Sequence, residues 1–216
     1  MKIRVGTWNI AGARKMLSME RFDYGTQEEL DYFAEQLQTL QLDIVCLQES
    51  HANSHNSLAE LLANSLDMSY VAESPGCPSH IDSTYMLTTA IISRIPFTTE
   101  QSLLLPHPTF ELKFQHSGKV VPPYDRYAQV VTFNSFTVAN IHTEPLGAFG
   151  LQYDTGLGKD LGHGIDTLLA GALSRPLLFP ADFNQHDLSN AFPLLLEKFS
   201  LKDALPNIST KPWYPS

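Results

Sequence analysis

The chain has 216 residues and a formal charge of −9, with 17% charged and 43% hydrophobic residues. That is the composition of a globular protein and excludes a disordered, collagen-like or low-complexity one. The acidity leaves no positive field to gather a polyanion by counterion release, which excludes a generic DNA-coating protein but permits an enzyme that meets phosphate through a bound cation.

The run Lys2 to Ile10, with Ile3, Val5, Trp8 and Ile10 apolar, predicts a first strand that enters a loop at Ala11-Gly12. Thr26 to Glu29 has the spacing of a capping box, and Leu30, Phe33, Leu37 and Leu40 then fall at helical intervals, so a helix is expected over 27–40. The short apolar run 43–48 predicts a buried parallel strand with Glu49 at its C-terminal end. A second capping box, Ser57 to Glu60, opens a helix carrying Leu58, Leu61, Leu62 and Leu66. From about residue 70 the texture turns to β, with strands expected over 85–94, 101–105, 110–114, 128–133 and 136–141, the last two joined by a tight turn at Asn134-Ser135. The glycines between Leu146 and Gly164 predict a loop, which lacks the Gly-Lys-Ser/Thr of a P-loop. A helix over 165–174, a strand over 177–181 and a helix bearing Phe192, Leu195, Leu196 and Phe199 complete the α/β order. One domain over 1–216 is the expectation, since no repeat, linker or boundary interrupts it.

Cys46 and Cys77 are too few for a disulfide framework and are read as reduced. The N-terminus has no apolar stretch of signal-peptide type, and no apolar window approaches the roughly 20 residues of a membrane span, so a cytoplasmic protein is expected.

Four predicted strands end in polar residues: Asn9, Glu49, His142, and Asp182 followed by Asn184. Groups at the carboxyl ends of strands commonly share a cleft in α/β proteins. Hard carboxylate oxygens, two amides and an imidazole suit metal-assisted attack of water on phosphorus. Each residue taken alone has a plainer reading as a strand-end cap or turn former.

Five ordered blocks, Thr7-Trp-Asn-Ile10, Leu47-Gln-Glu49, Ala90-Ile-Ile-Ser-Arg-Ile-Pro96, Asn140-Ile-His142 and Ala181-Asp-Phe-Asn184, resemble those of the endonuclease/exonuclease/phosphatase, or deoxyribonuclease I-like, family. The resemblance runs from residue 2 to about 215. It implies a four-layer α/β/β/α sandwich and hydrolysis of a phosphodiester, with nucleic acid among the substrates in question. It also implies Mg²⁺ or Mn²⁺ held chiefly by Glu49 and completed or supported by Asn9. Asp182 would orient or deprotonate the attacking water, Asn184 would hold a phosphate oxygen, and His142 would contact the scissile phosphate. Arg126 stands where such proteins often carry an arginine; it is a substrate-binding candidate whose simpler reading is a structural salt bridge.

The resemblance also has departures. Ala181 replaces a usual glycine and Ile141 a usual threonine, and the family's closing Ser-Asp-His triplet is absent from the sequence. The domain is therefore expected to lack its last strands, which leaves a sheet edge for self-association or a partner chain. The alternative is a catalytically impaired scaffold of the same fold, acting in binding or regulation. His186 at the cleft rim, and His51 with His55 at i, i+4 spacing, are weaker candidates, as is an exposed aromatic pair at Trp213 and Tyr214. His163, between two glycines, is read as a loop residue.

Overall fold

A computed structural model describes residues 2–18, 23–185 and 187–202. Its strands are β1 (Val5–Asn9), β2 (Met16–Ser18), β3 (Asp23–Tyr24), β4 (Ile44–Ala52), β5 (Tyr70–Glu73), β6 (Cys77–Pro78), β7 (Met86–Ser93), β8 (Thr99–Leu104), β9 (Leu112–Lys113), β10 (Val120–Val121), β11 (Tyr127–Thr132), β12 (Thr137–His142), β13 (Leu177–Leu178) and β14 (Ala181–Asp182). The helices are α1 (Leu30–Leu40), α2 (Leu58–Ser65), α3 (Gly158–Ala172), α4 (Leu188–Ala191) and α5 (Pro193–Phe199). None of the described helices is long and apolar enough to cross a membrane.

Alternation along the strands builds two five-stranded sheets and three cores, beside the two-stranded ribbons β2-β3 and β9-β10. In β4, Ile44 and Cys46 point between the sheets while Val45 and Leu47 point outward onto α1 and α2. In β12, Val138 points between the sheets while Ala139 and Ile141 face α3 and α5. Both sides of both sheets are therefore covered, which gives the α/β/β/α layering. The first sheet runs β1-β4-β7-β5, with β6 also on β7, and β1 is parallel to β4. The second runs β13-β12-β11-β8, and β14 also pairs with β12 in parallel. Register does the rest: Asn9 lies opposite Gln48, and His142 lies opposite Asp182.

A buried polar clamp joins the sheets. Gln48 Nε2 donates to Thr7 Oγ1 at 2.9 Å and to Asn140 Oδ1 at 2.5 Å. Asn140 Nδ2 donates to the Leu47 and Ala90 carbonyls at 2.9 Å each. A second clamp holds α5 to α3: the carboxylate of fully buried Asp166 accepts from Leu194 N at 2.8 Å and Leu195 N at 2.7 Å, capping a helix start that has no cap of its own. Asp166→Ala strands those two amides, and a loss of about 2–4 kcal/mol is expected in denaturant unfolding.

Several sequence expectations shift. The helix expected over 27–40 begins at Leu30 with Glu29 at its N-cap and no side-chain cap bond; the expected Thr26 box does not form, because the Glu29 N–H that the Thr26 hydroxyl would accept from donates to the Ala13 carbonyl at 2.8 Å. The Ser57 box forms as expected, with Ser57 Oγ accepting from Glu60 N at 3.1 Å. The glycine-rich loop is shorter than expected, because α3 starts at Gly158. A Cβ on Gly158 would stand 2.1 Å from the Gln152 carbonyl oxygen and one on Gly162 2.5 Å from that of Tyr153, so these glycines allow close packing of the helix. His163 consequently lies on α3, exposed, and not in a loop. His51 lies within β4 and His55 in the turn after it, so the two share no helix. His186, Trp213 and Tyr214 lie outside the described residues.

Glu73 on β5 ties α2 to the first sheet, accepting from Ser57 Oγ (2.8 Å) and Thr88 Oγ1 (2.5 Å). Burial raises its pKa despite these bonds. A carboxyl with a raised folded pKa binds its proton more tightly in the native state, so stability falls as pH rises through the interval between the unfolded and folded values. Glu73→Gln should therefore gain in Tm over the unsubstituted protein at pH 8 relative to pH 4.5, as measured by thermal melts at both.

Candidate active site

Asn9 ends β1 with its side chain locked from both sides. Its Oδ1 accepts from Ala11 N at 3.3 Å, which turns Nδ2 toward two carboxylates, Glu49 Oε1 and Asp182 Oδ2, each at 3.1 Å. Glu49 comes from the first sheet and Asp182 from the second, so one amide spans the seam between them.

Glu49 is not at the end of its strand. β4 continues to Ala52 through a bulge: Leu47 pairs with Ala90 and Ser50 with Thr88, leaving Gln48 and Glu49 opposite Thr89 alone. Glu49 itself takes φ +51°, a left-handed conformation that costs a non-glycine residue about 1–2 kcal/mol. Such bulges re-aim side chains, and here the carboxylate is turned into the cleft. Asn184 is a second left-handed residue, at φ +49°. Its N–H donates to Asp182 Oδ1 at 3.2 Å and its Nδ2 to the Thr143 carbonyl at 3.0 Å. Thr143 returns the contact through Oγ1 to the Phe183 carbonyl at 2.5 Å, so the segment 182–184 is pinned to the end of β12.

His142, 8% exposed, completes the group. Its Nε2 stands 3.8 Å from Glu49 Oε1 and 3.8 Å from Asp182 Oδ2. Burial, reinforced by the Arg126 guanidinium, lowers its pKa. Arg126 faces Glu144 and His142: Nε donates to Glu144 Oε2 at 2.6 Å, Nη2 to Glu144 Oε1 at 3.4 Å, and Nη1 lies 3.3 Å from His142 Nδ1. Its salt-bridge reading is thus realised with a partner that the sequence pattern left unseen. Glu144 could have been suspected only as a lone acid two residues beyond a site histidine. A small cavity of about 20 Å³, room for about one water, lies beside His142, with Ser74, Cys77, Thr89 and Arg126 in its wall.

All five strand-end candidates therefore meet in one place, and other candidates stay out of it. His51, two residues from Glu49, stacks on Tyr85 at 4.9 Å and hydrogen-bonds Ser79 Oγ at 2.9 Å, with its pKa pushed down to about 4 by burial and by Arg14. Both cysteines are free and buried.

Among the described residues no group of three or more His, Cys, Asp or Glu stands ready to hold a metal ion. The donor set instead fits an open site for a hard cation, one or two carboxylates completed by water and substrate oxygens, as Mg²⁺ prefers. Electrostatics favours the same conclusion. Arg126 is already paired with Glu144, so among the described residues Glu49 and Asp182 have the Asn9 amide and the His142 ring between them and no Lys or Arg, and would repel an anionic substrate without a cation.

The sequence profile described as the Endonuclease/Exonuclease/phosphatase family matches residues 6–171, a span that holds Asn9, Glu49 and His142. Among solved structures, an endonuclease/exonuclease/phosphatase family protein from Leptotrichia buccalis is similar at a TM-score of 0.56 and 16% identity, over 91% of this chain and 74% of that one. An AP endonuclease from Archaeoglobus fulgidus is similar at 0.54 and 14%, over 91% and 70%. A mannosyl-6-phosphatase from Bacteroides thetaiotaomicron is similar at 0.55 and 16%, over 91% and 71%. Comparison with curated protein sequences finds no match. At these identities the likeness establishes the four-layer fold and nothing finer about the reaction.

Proposed function

The chain belongs to the endonuclease/exonuclease/phosphatase family, and we propose that its cleft hydrolyses a phosphodiester by direct attack of water, assisted by Mg²⁺ or Mn²⁺. Hydrolysis of phosphate esters is the class that membership assigns; the diester, the metal and the residue roles are the proposal. The observation that carries it is the Asn9 amide, 3.1 Å from a carboxylate of each sheet, with the His142 ring beside both.

Glu49 would be the principal ligand of the cation, with Asn9 supporting the site by holding the carboxylates apart and oriented. When bound, the cation neutralises charge on the phosphate oxygens and polarises the phosphorus centre. Asp182 has Oδ1 fixed by the Asn184 N–H and Oδ2 by Asn9, so its carboxylate is oriented to align a water and accept its proton. His142 and the second Nδ2 hydrogen of Asn184 would donate to phosphate oxygens as charge accumulates there.

The net charge of −9 disfavours long duplex DNA as the substrate and favours a small or single-stranded diester. Rates with Mg²⁺ on bis(4-nitrophenyl) phosphate, 4-nitrophenyl phosphate, a single-stranded oligonucleotide and duplex DNA test this. The small diester or the single strand should be cleaved fastest. Exclusive action on the monoester, or preference for the duplex, would contradict the proposal.

A further inference from the structure

His142 has two ring nitrogens, and its neighbours decide which of them carries the proton. Nδ1 lies 3.3 Å from Arg126 Nη1, in hydrogen-bonding geometry. A guanidinium has five N–H donors and no acceptor, and it stays protonated in proteins. Two donors cannot face each other, so Nδ1 must present its lone pair. The proton of the neutral ring is then on Nε2.

Among the described residues no group takes that proton at hydrogen-bond distance. Glu49 Oε1 and Asp182 Oδ2 are both 3.8 Å away, beyond hydrogen-bond distance, and Nε2 faces the space between them. Arg126 is itself held rigidly: Glu144 takes its Nε and Nη2 as a fork, and Tyr153 Oη donates to the Glu144 carbonyl at 2.8 Å. A carboxylate in place of Arg126 would draw the proton to Nδ1 and leave Nε2 an acceptor. We propose that Arg126 is a positioning residue that fixes His142 as the Nε2–H tautomer, so that His142 meets a phosphate oxygen as a hydrogen-bond donor and never as a base. This rests on the reading of the cleft as a phosphoester site, yet the tautomer can be measured without any turnover.

Long-range ¹H–¹⁵N spectra of the labelled 216-residue protein at pH 8, with His142 assigned by difference from His142→Gln, report which nitrogen is protonated. The unsubstituted protein should show a protonated Nε2 and an unprotonated Nδ1. A single Arg126 substitution leaves Glu144 buried and unpaired, so the informative variant is Arg126→Glu with Glu144→Arg, which reverses the ion pair and sets a carboxylate against Nδ1. In it, His142 should shift toward the Nδ1–H form, and kcat on the small diester should fall at least about tenfold with KM within about threefold, the direction that a mis-set tautomer gives elsewhere. Arg126→Lys keeps a donor and should retain the Nε2–H signal. An Nδ1–H signal in the unsubstituted protein overturns the proposal, as does a double variant that keeps both the Nε2–H signal and full kcat. If Nε2–H is observed but no form hydrolyses the diester, the hydrolytic reading fails while the tautomer assignment stands.

Discussion

Glu49→Gln is expected to lower kcat/KM on a small chromogenic phosphodiester by about a thousandfold or more, and to weaken Mn²⁺ binding by at least about tenfold as measured by calorimetry. The substitution keeps size and hydrogen-bonding capacity but removes one of two negative charges that share the Asn9 amide. The cation then loses its strongest ligand. The fold does not lose by the change, because the left-handed backbone at residue 49 is set by the bulge and tolerated equally by either side chain. Asp182→Asn separates binding from chemistry. It should leave Mn²⁺ affinity nearer that of the unsubstituted protein while abolishing turnover, because Asp182 is placed to take the proton of water. Equal loss of affinity in both variants would show that Asp182 acts as a ligand instead.

The second large effect is on stability. Asn140→Leu should cost about 3–5 kcal/mol in denaturant unfolding. The residue is fully buried between the sheets, where its amide satisfies the Leu47 and Ala90 carbonyls and accepts from Gln48. Leucine fills the space but leaves two carbonyls and one Gln48 N–H wanting partners, each costing about 1–3 kcal/mol when buried. The consequence extends to the cleft. Asn140 is two residues from His142, and its bonds reach Leu47 and Gln48 just ahead of Glu49, so it keeps the halves of the site in register. Residual folded Asn140→Leu protein should therefore also bind Mn²⁺ more weakly. A variant as stable as the parent would mean that the sheets are held by their apolar interface alone.

How much of this could be read from the chain is clearest at Glu49 and Asn140. Polar residues closing apolar runs marked Asn9, Glu49, His142, Asp182 and Asn184, and the folded chain brings all five together. β4 was equally plain as a short apolar run bounded by polar residues, because a strand buried on both faces carries apolar side chains on both. The bulge was not legible, since nothing in Leu-Gln-Glu-Ser announces a left-handed glutamate inside a strand. Its local cost is repaid by partners distant in sequence, Asn9 on β1 and His142 on β12, which no local pattern encodes. Glu144 and the clamp role of Asn140 were hidden for the same reason: their partners are on other strands. The start of α3 departs from the sequence expectation for a different reason. Glycine signals a loop in local pattern, whereas Gly158 and Gly162 are there because the helix packs against backbone that a side chain would strike.

The most direct test of the central claim is hydrolysis of bis(4-nitrophenyl) phosphate by the 216-residue protein with Mg²⁺ or Mn²⁺, beside Asp182→Asn purified in the same way and shown by circular dichroism to be folded. Metal-dependent turnover that EDTA removes and Asp182→Asn lacks is the predicted result. A folded protein with no turnover above that of the variant would contradict the assignment of this cleft as a hydrolytic centre and would favour a binding or regulatory scaffold of the same fold.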